Sequence, residues 1–315
     1  MSAPLLIADT PWLLYRAFFA LPKSIADGEG RPVNALLGTV NALLAAVAAC
    51  SPRAVVACFG AEQAAYRVAL YPAYHAHRDP MPAELARQWA LAPALLASLG
   101  WTVCDAGELE ADDAIGAFAA AEAAAGGRAL LLTGDRDLFQ AVGERTAILE
   151  VPRDGAPVEV GPAQVRARYG VEPEQVPDFI ALRGDPSDGL PGAPGIGAKT
   201  AAELLGRHGS LEGALRAVGW SPEGLAPLAE TGMRAGGVCP PASVVTPERP
   251  RVAAALREHA EALLTFKRIA TLAPIDVRRP ADRPTDFAAG AARSRELGMN
   301  RLAQRLEGML RAGPP

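Results

Sequence analysis

Short apolar runs alternate with helical stretches through the first half of the chain, and this alternation restricts the fold more than any other feature. The predicted strands are residues 4–8, 54–59, 101–104, 129–133 and 147–151. The helical stretches among them lie near residues 33–50, 82–98, 110–125 and 136–142. Continuous apolar strands separated by helices are typical of a parallel sheet covered on both faces, so we predict an α/β fold. In such sheets ligands bind beyond the carboxyl ends of the strands.

Helical patterns dominate from residue 161 onward, which indicates a second, all-helical region. The predicted helices are residues 161–169, 173–183, 198–207, 211–218, 251–272 and 293–311. Residues 219–250 are rich in glycine and proline, lack periodicity and are predicted to be irregular. We therefore expect a first domain over residues 1–160, a helical region over 161–272 and a basic C-terminal segment over 273–315.

Eight acidic residues occur in four short clusters, three of which directly follow an apolar run. They are Asp9, Glu110, Asp112, Asp113, Asp135, Asp137, Asp185 and Asp188. Hard divalent cations take oxygen ligands and bind through a few carboxylates together with substrate phosphates. The clusters therefore predict a divalent-metal site suited to phosphate-ester chemistry.

Ordinary explanations stay open when each acidic cluster is taken alone. Asp9 precedes Thr10 and Pro11, a favourable helix start in which the aspartate is the N-cap. The acids at 110–113 could be first-turn residues favoured by the helix dipole. Three acids in four residues nevertheless exceed what capping requires, and a cap explains one of Asp135 and Asp137 but not both.

The net charge of −4 is neutral evidence about a nucleic-acid partner. Lysine and arginine drive phosphate binding, and without the eight clustered acids 27 acidic residues would remain against 31 basic ones. No apolar run reaches the roughly 18 residues that suggest a membrane span, and no signal peptide is recognisable. The four cysteines form no CxxC pair. We expect a cytoplasmic protein with reduced thiols and no membrane association.

The most specific stretch is residues 178–201, which has two chemical halves. Asp185 and Asp188 lie three residues apart, where both side chains can reach one ion. A Gly-Ile-Gly turn then leads into a predicted helix start, where glycines let the backbone approach a phosphate and free N–H groups point at it. The candidate phosphate-binding residues are Gly195, Gly197, Lys199 and Thr200. The alternative is a plain glycine-rich turn between helices.

In their order along the chain these segments resemble the 5′–3′ exonuclease domain of bacterial DNA polymerase I, a relative of the flap endonucleases. The resemblance rests on residues 5–9 with Tyr-Arg-Ala-Phe at 15–18, Glu-Ala-Asp-Asp at 110–113, Thr-Gly-Asp-Arg-Asp at 133–137, and residues 184–200. It extends through residues 5–275, and no polymerase portion follows, which implies a free-standing 5′-nuclease. The implied fold is a PIN-like twisted parallel sheet flanked by helices, with an all-helical helix-three-turn-helix DNA-binding region.

The resemblance also implies a chemistry. The eight acids would hold two or more Mg²⁺ or Mn²⁺ ions for the hydrolysis of DNA phosphodiesters to a 5′-phosphate and a 3′-hydroxyl, in replication or repair. Arg16 matches a family arginine near the scissile phosphate, and a K⁺ ion would be held by backbone oxygens in the Gly195–Thr200 turn. Expected partners are DNA with 5′ ends, flaps or nicks and RNA-primed DNA, with the protein acting as a monomer.

Residues 61–80 match the family's arch, through which a single-stranded 5′ end passes. Arg67, Tyr71, Tyr74 and Arg78 are spaced so that they share one helical face, where aromatic rings can stack on bases and guanidiniums can meet phosphates. With Asp9 and Arg16, Arg78 completes the set of catalytic candidates. The alternative is an amphipathic helix that packs its two tyrosines on the core.

Two departures from the family pattern predict reduced activity. Phe59 is followed by Gly60 where the family has an aspartate, and Glu62 is the one acid nearby. His75 stands in the arch where the family has a lysine, so phosphate positioning should weaken. We expect Asp at 60 and Lys at 75 to raise the rate. The alternatives are a catalytically weakened, structure-specific DNA-binding protein and a PIN-like ribonuclease.

Overall fold

The computed structural model describes residues 3–151, 157–221 and 248–312. The first part of the chain forms β1 (Leu5–Asp9), α1 (Thr10–Ala20), α2 (Asn34–Cys50), β2 (Ala54–Phe59), α3 (Ala65–Leu70), α4 (Ala83–Ser98), β3 (Thr102–Asp105), α5 (Ala111–Ala124), β4 (Ala129–Leu132), a 3₁₀ turn (Asp137–Ala141), β5 (Thr146–Glu150) and β6 (Val158–Val160). The second part forms α6 (Pro162–Tyr169), a 3₁₀ turn (Pro173–Gln175), α7 (Val176–Arg183), α8 (Ala198–His208), α9 (Leu211–Ala217), α10 (Pro250–Glu258), α11 (Ala260–Ala270), α12 (Phe287–Glu296) and α13 (Asn300–Ala312).

The strands form one six-stranded sheet in the order β3-β2-β1-β4-β5-β6. The first five strands are parallel, and β1, β2 and β4 are wholly buried, as continuous apolar runs predict. The sequence missed β6, which pairs antiparallel with β5 at the edge. Its first two residues are exposed and one is a glutamate, so it lacks the apolar signal of the inner strands.

The direction in which strands are added reverses between β1 and β4. β1 leads to β2 and β3 on one side, whereas β4 leads to β5 and β6 on the other. The connections after β1 and β4 therefore diverge and leave a crevice beyond the carboxyl ends of these two strands, which is where open α/β sheets bind ligands. Asp9 ends β1, and Thr133 directly follows β4.

Each face of the sheet has its own core, because successive side chains of a strand point to opposite sides. Leu6 and Ala8 of β1 face a core built with α1, α2, α4, α12 and α13. Leu5 and Ile7 face a second core built with α5 and the helices from α6 to α11. The predicted boundary near residue 160 falls between β6 and α6, yet the second core continues across it. The helical region thus packs directly on the sheet.

Several predicted helices differ in detail. Residues 251–272 form two helices that meet at His259, and residues 293–311 fall in α12 and α13, which are separated by a turn. The arch residues 61–80 contain only the short helix α3, followed by turns. Residues 222–247 of the segment predicted to be irregular lie outside the described residues. Among the described helices, none is both long and apolar enough to cross a membrane.

The basic C-terminal segment is an extended strap, residues 272–286, followed by the helical hairpin α12–α13. The strap returns to the sheet domain, where the N–H of Arg283 donates to the carbonyl of Arg53 at 2.8 Å and the indole of Trp101 donates to Thr285 at 3.0 Å. Leu302 and Leu306 of α13 are buried in the first core. The end of the described chain therefore completes the layer that α1 begins.

Candidate active site

Asp9 both ends β1 and caps α1, so its carboxylate lies at the crevice. Oδ1 accepts a hydrogen bond from the N–H of Trp12 at 3.0 Å, and Oδ2 accepts one from the hydroxyl of Thr133 at 2.7 Å. Burial raises the pKa of Asp9 to about 7, and repulsion from Asp135 adds to the rise. The two hydrogen bonds act in the opposite direction and lower the pKa. The helix-cap interpretation and the crevice position are thus both correct. Sequence reasoning did not single out Thr133 as the residue that orients Asp9.

Asp112, at the start of α5, and Asp135 and Asp137, after β4, carry half-buried carboxylates close to Asp9. Burial raises the pKa of Asp112 and Asp137 well above the usual range, and repulsion from Asp135 contributes to both shifts. Asp112 is also repelled by Asp9. The N–H of Asp137 donates to Oδ1 of Asp135 at 2.9 Å, which fixes the turn between them.

Asp185 and Asp188 lie on the acidic loop, residues 184–190, which is closed by a bridge between Asp185 and Leu190. Oδ1 of Asp185 accepts hydrogen bonds from the N–H of Ser187, at 2.8 Å, and from its hydroxyl. Beside burial, the charge of Asp188 contributes to the raised pKa of Asp137. Burial acts to raise the pKa of Asp188, but hydrogen bonds and charge from His75 and Arg78 hold it below its ordinary value.

Six of the eight predicted acids therefore come together as a carboxylate cluster, made of Asp9, Asp112, Asp135, Asp137, Asp185 and Asp188. Within residues 3–151, 157–221 and 248–312, no three aspartate, glutamate, histidine or cysteine side chains lie close enough together to hold a metal ion as they stand. The cluster is an open, oxygen-only donor set.

The structure corrects the prediction that Glu110 and Asp113 are metal ligands. Arg67, 3% exposed, makes a two-pronged ion pair with Asp113, at 2.7 and 3.0 Å, and contacts Glu110 at 3.0 Å. Glu110 also accepts a hydrogen bond from the N–H of Ala64 at 2.7 Å. The oxygens of both acids are committed to protein donors, because α5 packs against the base of the arch.

The same contacts overturn the predicted arch face. Arg67 is buried, so it cannot meet a DNA phosphate. Tyr74 is 4% exposed and its hydroxyl donates to Glu110 at 3.0 Å, while the half-buried Tyr71 packs edge-on against Phe266. The alternative interpretation, in which both tyrosines pack on the core, is the one that the structure supports.

His75 and Arg78 differ in exposure, yet both contact the carboxylate of Asp188. His75 is buried, and its Nε2 lies 3.0 Å from Oδ1 of Asp188. Arg78 donates to that oxygen at 2.9 Å with its side chain 47% exposed. The prediction that His75 contacts DNA is corrected by its burial, whereas Arg78 stays open to an incoming phosphate.

Gly60 has no room for a side chain. A Cβ placed there would lie 2.5 Å from the carbonyl oxygen of Leu109 and 2.6 Å from the nitrogen of Ala111. The loop before α5 has closed over the position, so the expectation that an aspartate at 60 would complete the site is wrong for this backbone. Glu62 accepts a hydrogen bond from the hydroxyl of Tyr15 at 2.5 Å, which occupies the one nearby acid.

Arg16 borders the cluster on the side of β5. Its guanidinium lies 5.1 Å from the ring centre of Trp12 and donates to the carbonyl of Val151 at 3.1 Å. With Thr133 and Gly134 these residues line a cavity of about 270 Å³. The structure therefore places Arg16 beside Thr133, at the edge of the crevice.

The predicted phosphate-binding turn joins α7 to α8. Gly195, Gly197 and Lys199 are exposed and Thr200 is half-buried, while Ile196 between the glycines is buried and anchors the turn. Gly195 has a φ of +79°, which favours glycine. The turn thus presents backbone groups and Lys199 to solvent.

Two family models together match most of the chain. The model described as 5′–3′ exonuclease, N-terminal resolvase-like domain, matches residues 4–170, and the model described as 5′–3′ exonuclease, C-terminal SAM fold, matches residues 171–283. The 5′–3′ exonuclease of Mycobacterium tuberculosis is 33% identical, over 94% of this chain and 93% of that protein. The thermostable DNA polymerase I of Thermus thermophilus is 41% identical over 67% of this chain, which spans 25% of the polymerase.

Solved structures show the same fold. The flap endonuclease of bacteriophage T5, in a complex with DNA and metal ions, matches with a TM-score of 0.62 and 16% identity, over 97% of this chain and 98% of that one. The catalytic core of Rad2 in complex with a DNA substrate matches with a TM-score of 0.57 and 12% identity, over 97% and 92%.

Proposed function

Because this chain belongs to the 5′–3′ exonuclease and flap endonuclease family, we propose that it hydrolyses phosphodiester bonds of DNA from 5′ ends with divalent metal ions as cofactors. The products would be a 5′-phosphate and a 3′-hydroxyl. The observation that carries this proposal is the carboxylate cluster, which gathers six acids from β1, β4, α5 and the acidic loop at one crevice.

The cluster fits Mg²⁺ or Mn²⁺. Its donors are all carboxylate oxygens, which hard divalent cations prefer. Burial raises the pKa of Asp112 and Asp137, and repulsion within the cluster adds to both shifts. A bound cation would relieve that repulsion. Such ions, when bound, activate water and stabilise the leaving oxygen of a phosphodiester.

The protein groups around the cluster have separate roles in this proposal. Thr133 orients Asp9, and Ser187 orients Asp185. These hydrogen bonds restrict the orientation of the Asp9 and Asp185 carboxylates. Arg78 donates to Asp188, and Arg16 lines the cavity beside Thr133. Their guanidiniums can bind the phosphates that flank the scissile bond.

The exposed turn at Gly195–Thr200 supports binding of duplex DNA. Its glycines, the N-terminus of α8 and Lys199 can bind a phosphate of the DNA backbone. Backbone oxygens of the same turn would hold K⁺. We expect substrates with 5′ ends, flaps or nicks, including RNA-primed DNA, as in replication or repair. We expect the protein to act as a monomer.

A second function is favoured by a specific observation. Position 60 carries no carboxylate, and Glu110 and Asp113 are bound by Arg67, so three acids of the family pattern do not face the cluster. A structure-specific DNA-binding protein with weakened catalysis would retain the exposed turn and tolerate these losses.

Cleavage of a 5′-labelled flap duplex and its RNA counterpart, with Mg²⁺, Mn²⁺ or chelator, separates these functions. We expect metal-dependent cleavage of DNA. Asp135→Ala/Asp137→Ala should lower the rate by more than about 100-fold, since even partners of metal ligands cost about 10- to 100-fold. Glu144→Ala/Glu261→Ala, which removes two exposed acids elsewhere, should cleave normally. Duplex binding without cleavage in either metal would favour the second function, and cleavage of RNA alone would exclude both.

A further inference from the structure

We propose that His75 is a positioning residue that ties the arch to the acidic loop and thereby holds Asp188 in the carboxylate cluster. This inference rests on the proposed function, because it assigns Asp188 to the metal-binding set. This role of His75 differs from the one that the family resemblance implies for the lysine at this position, which is to position a phosphate.

Two hydrogen bonds join His75 to the same residue of the acidic loop. The backbone N–H of His75 donates to the carbonyl oxygen of Asp188 at 3.1 Å, and the ring Nε2 lies 3.0 Å from Oδ1. The partners are 113 residues apart in sequence. One residue therefore fixes both the backbone and the carboxylate of Asp188.

The backbone of His75 adopts an unfavourable conformation to make these contacts. Its φ is +55°, and Ser51 is the one other non-glycine residue with positive φ in the described parts of the chain. Side chains disfavour this region, and such strain persists where surrounding contacts over-determine it. Here it is maintained by the two bonds to Asp188.

The ring is held from a second side. It stacks on Tyr74 with ring centres 3.8 Å apart and planes inclined by 21°. Tyr74 is itself fixed by Glu110. The buried Nδ1 has no hydrogen-bond partner among the described residues, so the ring's one polar contact is with Asp188.

This arrangement distinguishes His75 from Arg78. Both donate to Oδ1 of Asp188, but the histidine side chain is 4% exposed and the arginine 47%. The ring is out of reach of a DNA phosphate, whereas the guanidinium can leave Asp188 and bind one. His75 thus supplies the permanent donor. Donors of this kind set the orientation of ligating carboxylates, and their loss typically lowers metal affinity by about 10- to 100-fold.

The test compares two amides at position 75 by Mn²⁺ titration calorimetry on the DNA-free protein and by flap-duplex kinetics. His75→Asn tolerates positive φ and keeps the backbone bond, but its side chain is too short to replace the imidazole. We expect it to weaken Mn²⁺ affinity by about 10- to 100-fold and to lower kcat while KM stays the same. His75→Gln restores a donor of similar reach but fits the positive φ less well than asparagine, so it should recover part of both.

His77→Ala, which removes an exposed histidine two residues away, is the matched control and should behave as the wild type. Wild-type Mn²⁺ affinity and kcat in His75→Asn would overturn the inference and leave the proposed function standing. A raised KM with unchanged Mn²⁺ affinity would show that His75 contacts DNA and would overturn it as well. A wild-type protein that binds no Mn²⁺ would overturn both proposals.

Discussion

Replacing Arg67 with alanine would leave the buried carboxylate of Asp113 and the half-buried carboxylate of Glu110 without their cation. Asp113 is fully buried and Arg67 is 3% exposed, so the pair is shielded from water and from salt. The guanidinium makes two bonds to Asp113, contacts Glu110 and donates to the carbonyl of Ile269 at 3.0 Å. It therefore connects α3, α5 and α11, so its loss should lower the stability of the whole domain.

The expected cost follows from what remains around Asp113. Removing one partner of a buried ion pair destabilises a protein by about 3–5 kcal/mol, because the other charge stays buried. Asp113 keeps hydrogen bonds from the N–H groups of Glu110, at 3.1 Å, and Ala273, at 2.7 Å. These bonds stabilise the remaining charge and place the cost near the lower end, about 3 kcal/mol. That is a large share of the roughly 5–15 kcal/mol that stabilises a typical domain.

Urea unfolding at pH 7 with chelator, followed by circular dichroism and by fluorescence, measures this cost if the two transitions coincide. Arg166→Ala is the matched control, since Arg166 and Glu172 form an exposed pair with side chains 48% and 44% accessible, and such pairs contribute about 0–1 kcal/mol. Arg67→Ala/Asp113→Ala should cost less than the sum of its single changes, because the stranded charge is gone. A loss below about 1 kcal/mol for Arg67→Ala, equal to that of the control, would refute the reasoning.

Three further outcomes follow from the site. Gly60→Asp should lower stability by about 1–3 kcal/mol through overpacking and should not raise the cleavage rate. Its control, Gly206→Ala on an open face of α8, should be neutral or stabilising in the same unfolding assay. A Gly60→Asp enzyme that cleaves faster than the wild type would contradict this prediction. The folded state raises the pKa of Asp9 from 3.8 to about 7, so it binds the proton more tightly than the unfolded chain, and metal-free stability should fall as pH rises through that window. Asp9→Asn should make the urea midpoint fall less steeply with pH, while the raised pKa values of Asp112 and Asp137 keep part of the slope. A slope that Asp9→Asn leaves unchanged would exclude Asp9 as a cause. Lys199→Ala should weaken duplex binding and reduce the salt slope by about 1, unlike Lys23→Ala, and an unchanged slope would remove Lys199 from the interface.

The inner sheet could be predicted from the sequence because its signal is local. β1, β2 and β4 are runs of apolar residues, and the acids that follow β1 and β4 lie at the crevice for the reason that parallel strands end together. The position of Asp135 and Asp137 at the crevice follows from this local order alone. The edge strand β6 has no such signal, since one of its three residues is buried.

The arch could not be predicted from spacing because its partners are distant in sequence. Arg67 and Tyr74 look like one exposed helical face, but Asp113 and Glu110 provide buried partners more than thirty residues later. Gly60 shows the same limit. The sequence around Gly60 suggests that a ligand is missing. Only the three-dimensional path of residues 109–111 shows that backbone atoms fill the space.

The strap and the α12–α13 hairpin have a consequence for how the protein folds. The core that contains Leu13 of α1 and Leu36 of α2 receives Leu302 and Leu306 more than 260 residues later in the chain. Contacts of such sequence separation form late, because loop closure must precede them. A nascent chain that has emerged only as far as α11 would therefore expose part of the apolar layer beside α4. We expect the region matched by the first family model to fold after synthesis is well past its own last residue, and to bind chaperones until then.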